Sequence, residues 1–496
     1  MLERMSLDPR TPVLIGQGQA LDRSTTSATA KHPVALMAEA LAAAASDAGI
    51  SLPSRVDAIR VVRLLSWKYT NAAHALAQMC GISADEYATT PHGGNMPQTL
   101  VNLTALQIQR GECDFVVLAG GESARSRSAT KDPQQLPWPA LDDAPAPTAA
   151  VDDLALLNEE ELRLGIVLPV QIYPMFETAL RAAAKRSVGD HDQRIAELWS
   201  RFSAVAATNE FAWSRTPLSA DDIRGVTADN RMIGLPYRKV MNSNNQVNLA
   251  ASLIMCSAQR AEALGVPRDR WVFPHAGTDC HEHQFVSNRW SFAETPAIAR
   301  GGKLALELAN TTLDEVALID LYSCFPSAVQ LGAASLGLDL QRQLTLTGGL
   351  SFAGGPWNNY VMHAIATAMC RLRESPKDKA FVWANGGYAT KHAFGVYATE
   401  PAAVGFRHGS PQAEIDALPR RELAVGDEAA GPATIEAYTV MHDRDGLPER
   451  FIAAVLRHDG RRAWVNCDDR SIAAEFVDGE HVGDAVTLRR SGELDT

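Results

Sequence analysis

The feature that most constrains this chain is that it repeats itself. The stretch from His92 to Glu122, HGGNMPQTLVNLTALQIQRGECDFVVLAGGE, reads as a glycine turn, a helix, a buried strand and a second glycine turn. The stretch from Gly354 to Tyr388 reads the same way, with GGPWNNYVMHAIATAMCRL at helical spacing and then KAFVWANGGY. A second pair of segments repeats as well. HPVALMAEALAAAASDAGI leads into the strand-like RVDAIRVVRLL, and TPAIARGGKLALELANTTLDEVALIDLYS ends in an apolar strand near Val316 to Leu321. Two β/α units of this kind, whose helices cross between buried apolar strands, predict parallel sheets covered by helices and related by pseudo-symmetry. The glycine turns of the two halves are then expected to face each other.

What does not repeat marks the other units. Arg125 to Ile233 begins with a proline-rich run, PQQLPWPALDDAPAP, and continues as helices, which suits an inserted loop domain over the substrate. After Phe406 the pattern changes to short alternating segments split by DG and GD turns, predicting a small barrel-like β module. The division is therefore a first half at 1–124 and 234–290, the insertion at 125–233, a second half at 291–408 and the module at 409–496.

A chain of 496 residues with 46% hydrophobic and 21% charged residues can bury cores of this size. Its net charge of -12 weighs against nucleic acid and toward a small metabolite. The seven cysteines contain no CxxC pair, so neither a disulfide framework nor a zinc ribbon is indicated. No run approaches the ~20 apolar residues of a membrane span, and a cytoplasmic location is expected.

At these residues the chain resembles the thiolase family, the acetyl-CoA acetyltransferase superfamily, and within it the sterol-carrier-type thiolases and the thiolase-like proteins of actinobacteria. IQRGECDFVVLAGGES, MNSNNQVNLAASLIMCSAQRAEALG, LIDLYSCF, TGGLSFAGGP and ANGGY fall in the family's order across Thr11 to Phe406. The resemblance implies an α/β fold with a five-layer α-β-α-β-α core, a loop domain that binds CoA, and a place in lipid metabolism. It also implies a nucleophilic cysteine at the first-half helix start, a GHP histidine and a second cysteine in a CxG motif. Those positions fall on Gly94, Gly355 and Ala384, so all three reactive side chains are missing. The module resembles the OB-like domain of acyl-CoA-associated proteins that partner thiolase-like aldolases.

The family's HDCF or NEAF motif reads YSCF here, with Tyr322 in place of His or Asn. A phenol can still donate a hydrogen bond or serve as an acid or base. A buried tyrosine is nevertheless more often simply packed. His363 and His392 are candidate replacements for the lost histidine. Gly94 and Asn95 at the helix start, with Asn244 and Asn248, are candidates for holding the thioester. Cys324 is weighed as a nucleophile and read as a buried hydrophobe. His275, Cys280, His281 and His283 do not close a tetrahedral set, so no metal is expected. No cofactor is expected beyond CoA or an acyl-CoA as ligand. The expected function is CoA or acyl-CoA binding with cysteine-dependent thiolysis absent or weak. Two alternatives stay open: retro-aldol cleavage of a 3-hydroxyacyl-CoA through Tyr322, and a non-catalytic scaffold whose module docks a protein partner. The resemblance leaves the oligomeric state open.

Overall fold

Burial explains the strands. The segments Phe115–Ser123, Asn248–Ser257, Lys391–Ala398 and most of Lys379–Gly386 are buried along their whole length, as expected for strands covered on both faces. The computed structural model describes residues 7–24, 29–132 and 136–495, so the first residues of the proline-rich run lie outside it. The first sheet has the order β1 (Pro12–Leu21), β8 (Asn248–Ser257), β4 (Phe115–Ser123), β2 (Arg55–Val61), β3 (Ser83–Thr89), β5 (Thr148–Ala149). The second has the order β10 (Leu318–Leu321), β11 (Lys379–Gly386), β12 (Lys391–Ala398), β9 (Phe273–His281), β13 (Arg407–Gly409). β4 runs antiparallel to β8 and parallel to β2, and β11 runs antiparallel to β12 and parallel to β10. The two halves thus share one topology.

β9 corrects the boundary expected from sequence. The first half was expected to extend to residue 290, but β9 pairs with β12 and β13 in the second sheet. It is the counterpart of β1, each lying beside the last strand of its own half.

The helices Met96–Arg110 and Tyr360–Glu374 lie between the sheets, and Pro33–Ala48 and Pro296–Leu308 cover the outer faces, completing the five layers. Proline in the first turn and Gly111 in the left-handed region delimit the 96–110 helix. Because this helix is covered on both sides, its buried polar groups must find partners in other layers. Asn102 Nδ2 donates to Asp279 Oδ2 on β9, and Tyr397 of β12 donates to Gln98 Oε1. In the reverse sense, Asn359 at the start of the 360–374 helix donates to the Gly120 carbonyl of β4. Each central helix is therefore tied to the other half's sheet.

The third sheet, β16 (Arg462–Cys467), β15 (Pro448–Arg457), β14 (Gly431–His442), β17 (Ala485–Arg490), β18 (Glu493–Leu494), is antiparallel. The bridge between Val465 and Gly492 brings β16 back toward β18, curling it as a barrel does. Gly446, Gly460 and Gly492 supply positive φ at its three hairpin turns, β14–β15, β15–β16 and β17–β18. A hairpin where the insertion rejoins the first half, β6 (Met232–Gly234) and β7 (Tyr237–Arg238), joins the same sheet through Gly234 and Met441. The sheet thus draws strands from outside 409–496. No helix among the described residues is long and apolar enough to cross a membrane.

Candidate functional site

The start of the 96–110 helix, the β11–β12 hairpin, the loop after β10 and the insertion's helix Pro169–Ala183 enclose a cavity of about 450 Å³. Leu156, Val170, Phe325 and Leu350 give it apolar walls, and Asn242, Ser243, Asn358 and Asn385 supply neutral polar groups. Among the described residues, no Lys, Arg, Asp or Glu lines it. Such a chamber favours an uncharged group over a bare ion.

Gly94 lines the cavity, and its missing side chain is replaced by neighbours. A Cβ built on Gly94 would sit 2.3 Å from Tyr322 Oη, 2.7 Å from its Cζ and 2.5 Å from the Asn385 carbonyl oxygen. The phenol therefore occupies the space that any side chain at 94 needs. Gly93 is fixed by its N–H, which donates to Asn358 Oδ1 at 3.0 Å, while Asn358 Nδ2 donates to the Arg63 carbonyl. Asn95 Nδ2 donates to Thr99 Oγ1, and its buried Oδ1 has no donor among the described residues. Gly355 is filled in the same manner: its Cβ would lie 2.2 Å from Ser243 Oγ. Ala384 is fully buried in the core, and its neighbour Asn385 is the β11 residue that faces the cavity.

Tyr322 lines the cavity in edge-on contact with Tyr360. Burial lifts its pKa well above the ordinary phenol value, so it stands as a neutral donor. Cys324 lines the same wall, and burial pushes its thiol up to about 12, leaving little thiolate. The two histidine candidates lie elsewhere. His363 Nδ1 donates to Gln19 Oε1 at 2.7 Å, and burial brings its pKa down to about 3. His392 Nδ1 accepts from Trp383 Nε1 at 3.3 Å, and burial holds it well below its usual value. Neither lines the cavity.

Asn244 and Asn248 also have local partners. Asn244 Oδ1 accepts from the Gln246 amide, whereas Asn242, Ser243 and Asn245 from the same loop line the cavity. Asn248 is buried, donating to the Asp22 carbonyl and Ser126 Oγ. His275, Cys280, His281 and His283 bond to the carbonyls of Glu400, Ala297, Glu282 and Pro419 respectively. No group of three metal-ligating side chains is found among the described residues.

Sequence reasoning missed five residues of this site. Tyr173, on the 169–183 helix, donates to the Gly387 carbonyl and accepts from Asn385 Nδ2 and the Ala389 N–H, which pins the β11–β12 hairpin. Asn385 and Asn358 flank the glycine pairs that drew attention, and that adjacency was the available signal. Trp357 lines the cavity at 41% exposure with φ of 46°. A bulky ring in the left-handed region costs on the order of 1–3 kcal/mol, so its backbone is held there by its surroundings. His92 also lines the cavity, and burial lowers its pKa, leaving a neutral imidazole.

The family described as thiolase-like protein type 1 additional C-terminal domain matches residues 411–493. The chain is similar to a solved monomeric SCP2-thiolase-like protein type 1 from Mycobacterium smegmatis, at 33% identity over 98% of each chain with a TM-score of 0.83. An Ltp2-ChsH2(DUF35) aldolase shares the fold at 16% identity, covering 79% of this chain and 98% of that one, TM-score 0.57. The dimeric peroxisomal thiolase of Saccharomyces cerevisiae does so at 14% identity, covering 80% and 99%, TM-score 0.56. No curated protein matches the chain.

Proposed function

The chain belongs to the type 1 SCP2-thiolase-like proteins, and on that premise we propose that it binds the acyl end of a CoA thioester in this cavity without forming an acyl-enzyme. The observation that carries the reading is the Tyr322 phenol in the space above Gly94. Acyl transfer needs a nucleophile beside the thioester carbon. Gly94 offers none, Cys324 is a neutral thiol, and the Gly355 position is filled by Ser243. What the helix start retains is backbone N–H groups at its positive end, which suit a thioester oxygen. The uncharged, largely apolar walls suit an acyl group and leave the nucleotide's phosphates outside. Calorimetric titration with acetyl-CoA tests the binding, and intact-mass measurement after incubation tests the chemistry. Binding with no added acetyl group is expected; a covalent acetyl adduct, or no binding of any CoA thioester, refutes the reading.

A second reading, C–C lyase activity, is favoured by one observation: a neutral phenol and a neutral imidazole, Tyr322 and His92, line the same cavity. In a retro-aldol cleavage of a 3-hydroxyacyl thioester, the bond between the second and third carbons breaks and its electrons pass to the thioester enolate. The hydroxyl gives its proton to a base, for which His92 is available, and the enolate takes a proton from Tyr322. An aldehyde or ketone and a shortened acyl-CoA result. A turnover assay on hydroxyacyl-CoA substrates decides it: cleavage that drops at least about 100-fold in Tyr322→Phe supports this reading, and no cleavage by the parent protein removes it.

A further inference from the structure

We propose that the cavity selects an acyl group bearing a hydroxyl, and that Asn385 is the residue that reads it; this rests on the cavity's being an acyl-thioester site. The Tyr173 hydroxyl carries one proton, and a carbonyl oxygen can only accept. That proton therefore lies toward Gly387 O, 3.0 Å away. The Tyr173 oxygen already accepts from the Ala389 N–H at 2.9 Å, so across the 2.8 Å contact with Asn385 the carboxamide must be the donor. The network thus fixes the orientation of the Asn385 amide. Its Oδ1 is left as an acceptor with no donor among the described residues, on a side chain that is fully buried and lines the cavity.

Tyr322 supplies the complement, a donor with no acceptor among the described residues. Its oxygen and the Asn385 backbone oxygen lie 2.3 and 2.5 Å from one point, the Cβ position of Gly94, so the two residues meet at the same wall. An alcohol answers both needs, accepting from the phenol and donating to Oδ1. Water can do the same in the free protein, and a ligand hydroxyl displaces it without loss. A methylene displaces it and leaves Oδ1 unpaired, a cost that lets a site built for a hydroxyl reject the analogue lacking one.

The experiment compares 2-hydroxybutyryl-CoA and 3-hydroxybutyryl-CoA with butyryl-CoA by competitive titration of the full chain. One hydroxyacyl thioester should bind about tenfold or more tighter than butyryl-CoA, and the ratio should fall to about one in Asn385→Leu. Should Asn385→Leu fail to fold, Tyr322→Phe reads the same pair from the donor side and should shrink the ratio likewise. A ratio near one in the unaltered protein, with the thioesters still binding, overturns the selection and leaves thioester binding standing. An undiminished ratio in the variant overturns the role of Asn385. If none of the three thioesters binds, the underlying reading falls and takes this one with it.

Discussion

At residue 94 a missing side chain and a gained phenol are one structural feature. Tyr322 Oη stands 2.3 Å from where a Cβ would be, so restoring a thiol there forces the ring or the helix start to move. Gly94→Cys should lower stability by about 1–3 kcal/mol and acquire no acetyl group from acetyl-CoA; pairing it with Tyr322→Asn should recover only the part due to the ring, since the Asn385 carbonyl oxygen still lies 2.5 Å from the new Cβ. Denaturant melts and intact-mass measurements check both. Counting along the motifs puts the reactive positions that the family resemblance implies at Gly94, Gly355 and Ala384. It does not say what fills them, because Tyr322 and Ser243 come from segments remote from the glycines they face. Ala384 and Asn385 show the limit most clearly: adjacent strand residues point to opposite faces, and only the sheet's placement decides which one meets the cavity.

Among the elements, the contact between the 169–183 helix and the β11–β12 hairpin organises the site. Tyr173 holds the hairpin at Gly387, Asn385 and Ala389, and its ring stacks on Phe325 with centroids 4.6 Å apart. Tyr173→Phe keeps the stack and deletes the hydrogen bonds. It should cost about 1–3 kcal/mol and speed amide exchange at residues 386–391, readable by hydrogen–deuterium exchange, with the 96–110 helix unaffected. The duplicated helices and strands were legible because their apolar spacing is local. The allegiance of β9 was not, since a buried apolar run reads the same whichever sheet accepts it; its ladder to β12 is a matter of partners over a hundred residues away.

For the whole molecule, the terminal module behaves as part of the core. Arg462, fully buried, pairs with Glu436 and donates to the carbonyls of Val286, Ser287 and Arg289, and Trp464 donates to Ser287 Oγ. Arg462→Ala strands those carbonyls and leaves Glu436 without its partner. A loss of about 3–5 kcal/mol is expected, with module and core unfolding in one transition in a denaturant melt. Three buried carboxyls set the pH response. Burial raises Glu122, Glu282 and Asp320 to about 7, above ordinary values of 4.5, 4.5 and 3.8. Groups with raised folded pKa hold more protons folded than unfolded, so their stabilisation is full below the unfolded pKa and disappears as pH climbs through the folded one. The buried histidines His363 and His392, with lowered pKa, act in the opposite sense but only below their ordinary value of 6.5. Thermal midpoints should therefore fall from about pH 6.5 to about pH 8, and Glu122→Gln should flatten that slope.

The sequence by itself determined the duplicated α/β plan and the extra β module, because apolar periodicity and turn glycines are written along the chain. Only the tertiary structure decided that a phenol stands over Gly94, that Asn385 and not Ala384 faces the cavity, and that the 232–238 hairpin and the module share a sheet. Those outcomes depend on which remote segments meet, and a hydrogen bond or a filled volume exists only once two such segments are brought within a few ångströms.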